Sequence, residues 1–132
     1  MGPLVIIDTS VWVQYFRARD SVEGEEVERL ISGGEVAMVG AVYAELVHGA
    51  RDEKELRRLE DDLNAFPFLD ADKWIWRSAG RLLFDLRRQG LAMSLADAFI
   101  AAIALEGGHQ VYTLDEHFQR VPGLRLYAAK TG

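Results

Sequence analysis

The sequence predicts an α/β fold: a three-layer α/β/α sandwich with a central, mainly parallel sheet of four to five strands. Three observations point there. Short β-branched runs alternate with longer helical patterns along the chain, as they do when crossover helices cover a parallel sheet. The first such run, "PLVII", is apolar at successive positions, the pattern of a strand buried on both faces. The segment "SLADAFIAAIALEGG" (94–108) is apolar nearly all round a helix, which suits a helix sunk in the interior. A length of 132 residues fits one domain spanning 1–132.

The elements follow in order. "PLVII" forms the first strand and ends at Asp8. In "SVWVQYFRA" Trp12 and Phe16 stand four apart on one helical face. "EEVERLIS" puts Val27, Leu30 and Ile31 on one stripe and stops at Gly33-Gly34. "EVAMVG" reads as the second strand, and "AVYAELVHGA" as a helix ending near Gly49. Leu56, Leu59 and Leu63, three and four apart with charges between them, mark the next helix. "FPFLD" is a short strand or extended link, because Pro67 limits ladder bonding. A long helix runs from about Lys73 to Arg88, turns at Gly90 and is followed by the apolar helix. "HQVYTL" is a further strand, "DEHFQRV" a short helix or turn, and "LRLYA" the last strand.

Composition narrows the function classes. No apolar run approaches the roughly 18–20 residues that span a bilayer, and "MGPLVIIDTS" lacks the basic start of a secretory signal. The absence of cysteine removes disulfide and thiolate chemistry and fits a cytoplasmic protein. The formal net charge of −6 argues against broad, nonspecific nucleic-acid binding and leaves room for a cationic partner or metal ions.

Four acids stand out. Asp8 closes the first strand, Asp115 follows "VYTL", Glu45 falls soon after the second strand, and Asp97 sits in the first turn of the apolar helix. In open α/β sheets the carboxyl ends of the strands form the ligand crevice. Each acid also has a plain structural reading. Asp8 and Asp115 suit helix caps, Ser94 and Asp97 have capping-box spacing, and Glu45 suits an exposed helix face. Taken together, four carboxylates near one rim repel, and either proton uptake or a divalent cation relieves that repulsion. An all-oxygen donor set suits Mg²⁺ or Mn²⁺. No zinc spacing is present, and His48, His109 and His117 read as surface or structural.

These pieces, "VIIDTSVWV", "VGAVYAELVHGA", "LADAFIAAIALEGG" and "VYTLDEHFQRVPGLRL", together resemble the PIN-domain proteins, and within them the toxin ribonucleases of VapBC toxin–antitoxin pairs. The resemblance covers almost the full length. It implies a Mg²⁺- or Mn²⁺-dependent endoribonuclease, with one or two ions, that hydrolyses RNA phosphodiester bonds by metal-activated water. The family's acidic constellation falls on Asp8, Glu45, Asp97 and Asp115. Asp8 and Asp97 become the main metal ligands, Asp115 a ligand to a second ion or through water, and Glu45 a holder of metal-bound water or a group that helps deprotonate it. Ser10 and Thr113 are candidates to orient the carboxylates. Gly40 departs from a serine common there, and Glu116 is a spare acid. A homodimer and an antitoxin partner are implied by the same resemblance.

Arg17 and Arg19 are the candidates for substrate contact, being close in sequence to Asp8. Arg77, Arg81 and Arg88 share a face of the long helix, which reads first as a solvated face, with Asp85 placed to pair with Arg81. Trp74 and Trp76 cannot share one face, so one of them is expected at an interface. Rival readings fit less well. An aspartyl-phosphate phosphohydrolase wants a second carboxylate in the D-x-D pattern, where this chain has Asp8-Thr9-Ser10. A receiver-like domain wants an early acidic pair and a lysine after its last strand. A non-catalytic PIN-like interaction module has no use for all four acids.

Overall fold

The structure is a computed structural model and describes residues 2–129. Five strands alternate with six helices: β1 (Val5–Ile7), α1 (Thr9–Arg17), α2 (Val22–Ser32), β2 (Val36–Val39), α3 (Gly40–His48), α4 (Glu53–Leu63), β3 (Phe68–Leu69), α5 (Lys73–Arg88), α6 (Leu95–Gly107), β4 (Gln110–Tyr112) and β5 (Arg125–Leu126). A 3-10 turn (Glu116–Arg120) lies between the last two strands. The sheet order is β3-β2-β1-β4-β5 and every pairing is parallel. The four-to-five-strand expectation thus resolves to five, with the Pro67 segment supplying a two-residue edge strand.

The central strands are buried at every position of β1 and β2, which is why their sequences are apolar without alternation. Strand β1 pairs with β2 on one side and β4 on the other, with Ile6 opposite Ala37 and Val111. The chain leaves β1 toward β2 and returns much later to its other flank. This change of direction opens a crevice at the carboxyl ends of β1 and β4.

Helix α6 is buried from Ala98 to Ala104, as its all-round apolar sequence requires. Ala79 of α5 packs with Ala98 and Ala102, and small side chains at that crossing let the two helices approach closely. Trp12 and Phe16 stack at 5.9 Å as their shared face predicts, but only Trp12 is in the core; Phe16 is exposed. Gly108 ends α6 with φ +69°, a left-handed cap that favours glycine. His109, next in the chain, is structural: its Nδ1 accepts the Leu4 N–H at 2.9 Å, which is possible only for a neutral ring.

Burial, followed by the nearby Arg125 charge, lowers the pKa of His109 below its ordinary 6.5. A group depressed on folding stabilises the protein above its unfolded pKa and loses that contribution as pH falls toward the folded value. Thermal melts are therefore expected to show a stability loss below about pH 6.5, and part of that loss should disappear in His109→Asn. Identical pH profiles for the two proteins would remove His109 from the account.

Candidate active site

Asp8 is the best-defined of the four acids. Its backbone N–H donates to the Tyr112 carbonyl at 2.8 Å, and its carbonyl accepts from Val11 and Trp12 at the start of α1. Its side chain makes no helix cap, so the capping explanation fails here. The residue is instead 6% exposed, and its Oδ2 accepts two hydroxyl hydrogen bonds, from Ser10 at 2.9 Å and Thr113 at 2.8 Å. Among the described residues no hydrogen bond to Oδ1 is present.

The two hydroxyls do double duty. Ser10 Oγ also accepts the Leu114 N–H at 3.1 Å, and Thr113 Oγ1 accepts the Asp115 N–H at 2.9 Å. Ser10 and Thr113 thus clamp the end of β1 to the loop after β4, fixing Asp8 relative to Asp115. The Asp115 carboxylate caps the following turn through the His117 N–H at 2.9 Å. It also lies 3.1 Å from His117 Nδ1, a neighbour that sequence spacing alone did not reveal. Glu45 is on the exposed side of α3, and Thr9 Oγ1 donates to its Oε1 at 2.8 Å.

Asp97 completes the rim. Ser94 caps α6 by accepting the Asp97 N–H at 3.1 Å, as the capping-box spacing suggests. Burial raises the pKa of the Asp97 carboxyl first, and the charges of Asp8, Asp115 and Glu45 raise it further, against a lowering by the Ser94 hydroxyl. The charges of all three other acids therefore reach Asp97. Among the described residues, no three His, Cys, Asp or Glu side chains converge into a ready-made metal cage. Like charges facing one another in this way repel. The donors nevertheless suit a hard divalent cation: they are oxygens only, one is a buried carboxylate with an unengaged oxygen, and another is destabilised as an anion by its neighbours.

A match to the PIN domain family model spans residues 5–124. The chain belongs to the PIN-domain family. Ribonuclease VapC11 of Mycobacterium tuberculosis is 36% identical over 119 residues, covering 87% of this chain and 89% of that protein. Ribonuclease VapC1 of Methanocaldococcus jannaschii is 25% identical over 126 residues, covering 93% of this chain and 86% of that protein. Among solved structures, DNA-bound VapBC from Salmonella typhimurium has a chain with a TM-score of 0.80 and 22% identity, covering 95% of this chain and 97% of that one.

Beside the rim, a groove of about 790 Å³ runs from Thr9 and Glu45 past Phe16 and Arg17 to Leu59 and Asp62. Of the two arginines picked out near Asp8, Arg17 is exposed and lines this groove. Arg19 also lines it but is held back: it bonds Glu28 at 3.1 Å and lies 3.9 Å over the Tyr15 ring. Tyr15 in turn donates to Glu28 at 2.7 Å. Burial and that bond push the phenol up to about 12. Arg51 and Arg58 on the far wall of the groove escaped the sequence reading, because proximity in space rather than in sequence brings them there.

Thr113→Val keeps the shape of the clamp but removes both its bonds. Loss of a group that orients a ligand usually lowers activity about 10–100-fold. A drop of that size in RNA cleavage, with the fold retained by circular dichroism, is expected; undiminished activity would show that the clamp is irrelevant to the chemistry.

Proposed function

We propose that this chain is a metal-dependent endoribonuclease and the toxin of a VapBC-type toxin–antitoxin pair. The observation that carries the reading is the acidic rim: Asp8 is buried and oriented by Ser10 and Thr113, and the charges of Asp8, Asp115 and Glu45 reach the partly buried Asp97. Asp8 and Asp97 are the residues to hold the ion, and Asp115 serves a second ion or acts through water. A Mg²⁺ or Mn²⁺ ion, when bound, lowers the pKa of a water and offsets negative charge on the phosphoryl oxygens.

The chain's own groups do the rest. Ser10 and Thr113 keep one Asp8 oxygen occupied, leaving the other without a hydrogen bond among the described residues. Glu45, steadied by Thr9, is placed to orient a water and accept its proton. Hydrolysis by water leaves the RNA 2′-hydroxyl out of the reaction. Arg17 at the head of the groove supplies a guanidinium for a substrate phosphate, and Arg19 can join once released from Glu28.

Solved relatives named as VapBC complexes from Salmonella typhimurium and Rickettsia felis support an antitoxin as partner. The groove beside Glu45 has apolar side chains in Val13, Phe16, Leu46 and Leu59, suited to an amphipathic segment. A homodimer belongs to the same reading, and sedimentation tests it. No helix among the described residues is long and apolar enough to cross a membrane, in keeping with the proposed cytoplasmic site of action.

The direct test incubates the full chain with a mixed RNA pool in Mg²⁺, in Mn²⁺ and in excess chelator. Cleavage that needs the ion and leaves 5′-phosphate ends is expected, with restoration on adding metal back. Equal cleavage in chelator would remove the metal-dependent mechanism, and no cleavage under any condition would favour a non-catalytic interaction module.

A further inference from the structure

The long helix α5 is at odds with the rest of the molecule. In a chain of net charge −6, it carries five cations and one carboxylate. Lys73, Arg77, Arg81, Arg87 and Arg88 follow one another in steps that keep them on one side of the helix. All five are exposed. Among the described residues, only Arg81 has a carboxylate partner, Asp85 at 3.2 Å. The opposite side, with Ala79 and Leu86, is buried.

Aromatic rings are interleaved with these cations. Phe84 is 42% exposed, and the guanidiniums of Arg81, Arg87 and Arg88 stand 5.8, 6.0 and 5.7 Å from its ring centre. Trp74 is 56% exposed, with Lys73 and Arg77 at 4.9 and 5.7 Å. A solvated helix face needs the charges but not the large exposed rings among them. Cations that follow a backbone, together with rings on which bases stack, are the combination that binds single-stranded nucleic acid.

The position of the face adds to its composition. The Phe84 end of α5 is followed by a short turn to Ser94, the cap that places Asp97. Arg120, at the end of the turn that begins beside Asp115, reaches across to the Ala92 carbonyl at 3.5 Å. We propose that the solvent face of α5 is a docking track for single-stranded RNA, leading from Trp74 past Phe84 toward the acidic rim. The track rests on the proposed reading only in that RNA is what this chain binds. It also accounts for how an acidic protein retains a polyanion: five cations are gathered on one helix that carries a single carboxylate.

The test uses the full chain with Asp97→Asn as background, so that binding is read without cleavage, and two probes: a long mixed-sequence RNA and an oligonucleotide only long enough to fill the crevice. Adding R77Q, R81Q and R88Q is expected to weaken binding of the long RNA about ten-fold or more at low salt and to flatten its salt dependence by about 0.7 per cation removed. F84A is expected to weaken it a further few-fold. In the chain with Asp97 intact, the triple substitution should raise KM for the long RNA, leaving kcat and short-oligonucleotide cleavage unchanged. Unaltered long-RNA affinity and salt slope would overturn the track, as would an equal loss on the short oligonucleotide. A change in sedimentation with RNA affinity preserved would overturn it too, assigning the face to a second copy of the chain. If the parent binds long RNA through α5 yet cuts none, the nuclease reading fails and the track stands.

Discussion

Asp97→Asn is expected to abolish RNA cleavage and, at the same time, to raise the melting temperature of the metal-free protein. The two effects have one cause. Burial and the charges of Asp8, Asp115 and Glu45 hold the Asp97 pKa above its ordinary value. A carboxyl whose pKa rises on folding gives its extra stability at low pH and loses it as pH climbs through the folded value. Near neutral pH the ionised Asp97 is therefore a net cost to the metal-free fold. Asparagine keeps the shape and the Ser94 cap, since that cap uses the Asp97 backbone N–H, but it removes the charge. Cleavage should fall on the order of 10³-fold, comparable to losing a principal electrostatic group. In melts, the wild type should gain more from added Mn²⁺ than the variant does, because an ion that binds only the folded state stabilises it. A variant that cuts at the parental rate, or that melts lower than the parent in chelator, would refute the assignment.

Arg29→Ala is expected to be among the most damaging substitutions far from the acidic rim, at about 3 kcal/mol of stability. Glu26 on α2 is completely buried. Its partners are the Arg29 guanidinium one turn further along and the Tyr127 hydroxyl, which donates to Oε2 at 2.7 Å. Arg29 lies partly in solvent, so removing it strands a buried anion rather than a buried cation. A loss of that size would lower the melting temperature by about 10 °C. Glu26→Gln keeps an acceptor for Tyr127 and eliminates the anion, so adding Arg29→Ala to it should cost little. That double-mutant cycle isolates the charge pairing from the lost arginine stem. Equal penalties in the two backgrounds would show that Arg29 acts by packing alone.

Glu26 also illustrates where reading the chain stops. The strands and helices were recoverable because each is written in local periodicity: the unbroken apolar runs of β1 and β2, the leucine spacing of α4, the long amphipathic α5. Asp8, Glu45 and Asp115 could be placed at the crevice because each follows a strand directly or within a turn or two. Asp97 could not be placed that way, since its helix follows another helix; packing of α6 against α3 and β4 as well as α5 sets its position. The Glu26–Tyr127 bond joins residues 101 apart and left no trace in either segment. The plain and functional readings also divided differently at each acid. Asp115 does cap its turn, Ser94 does cap α6, and Asp8 caps nothing with its side chain, giving its carboxylate to two hydroxyls instead.

The Thr113 bond to Asp8 spans 105 positions, and this separation bears on synthesis. A ribosome making this chain releases Asp8 105 residues before Thr113. Until then the first strand lacks the neighbour that orients its acid, and the growing polypeptide carries the reactive groups unassembled.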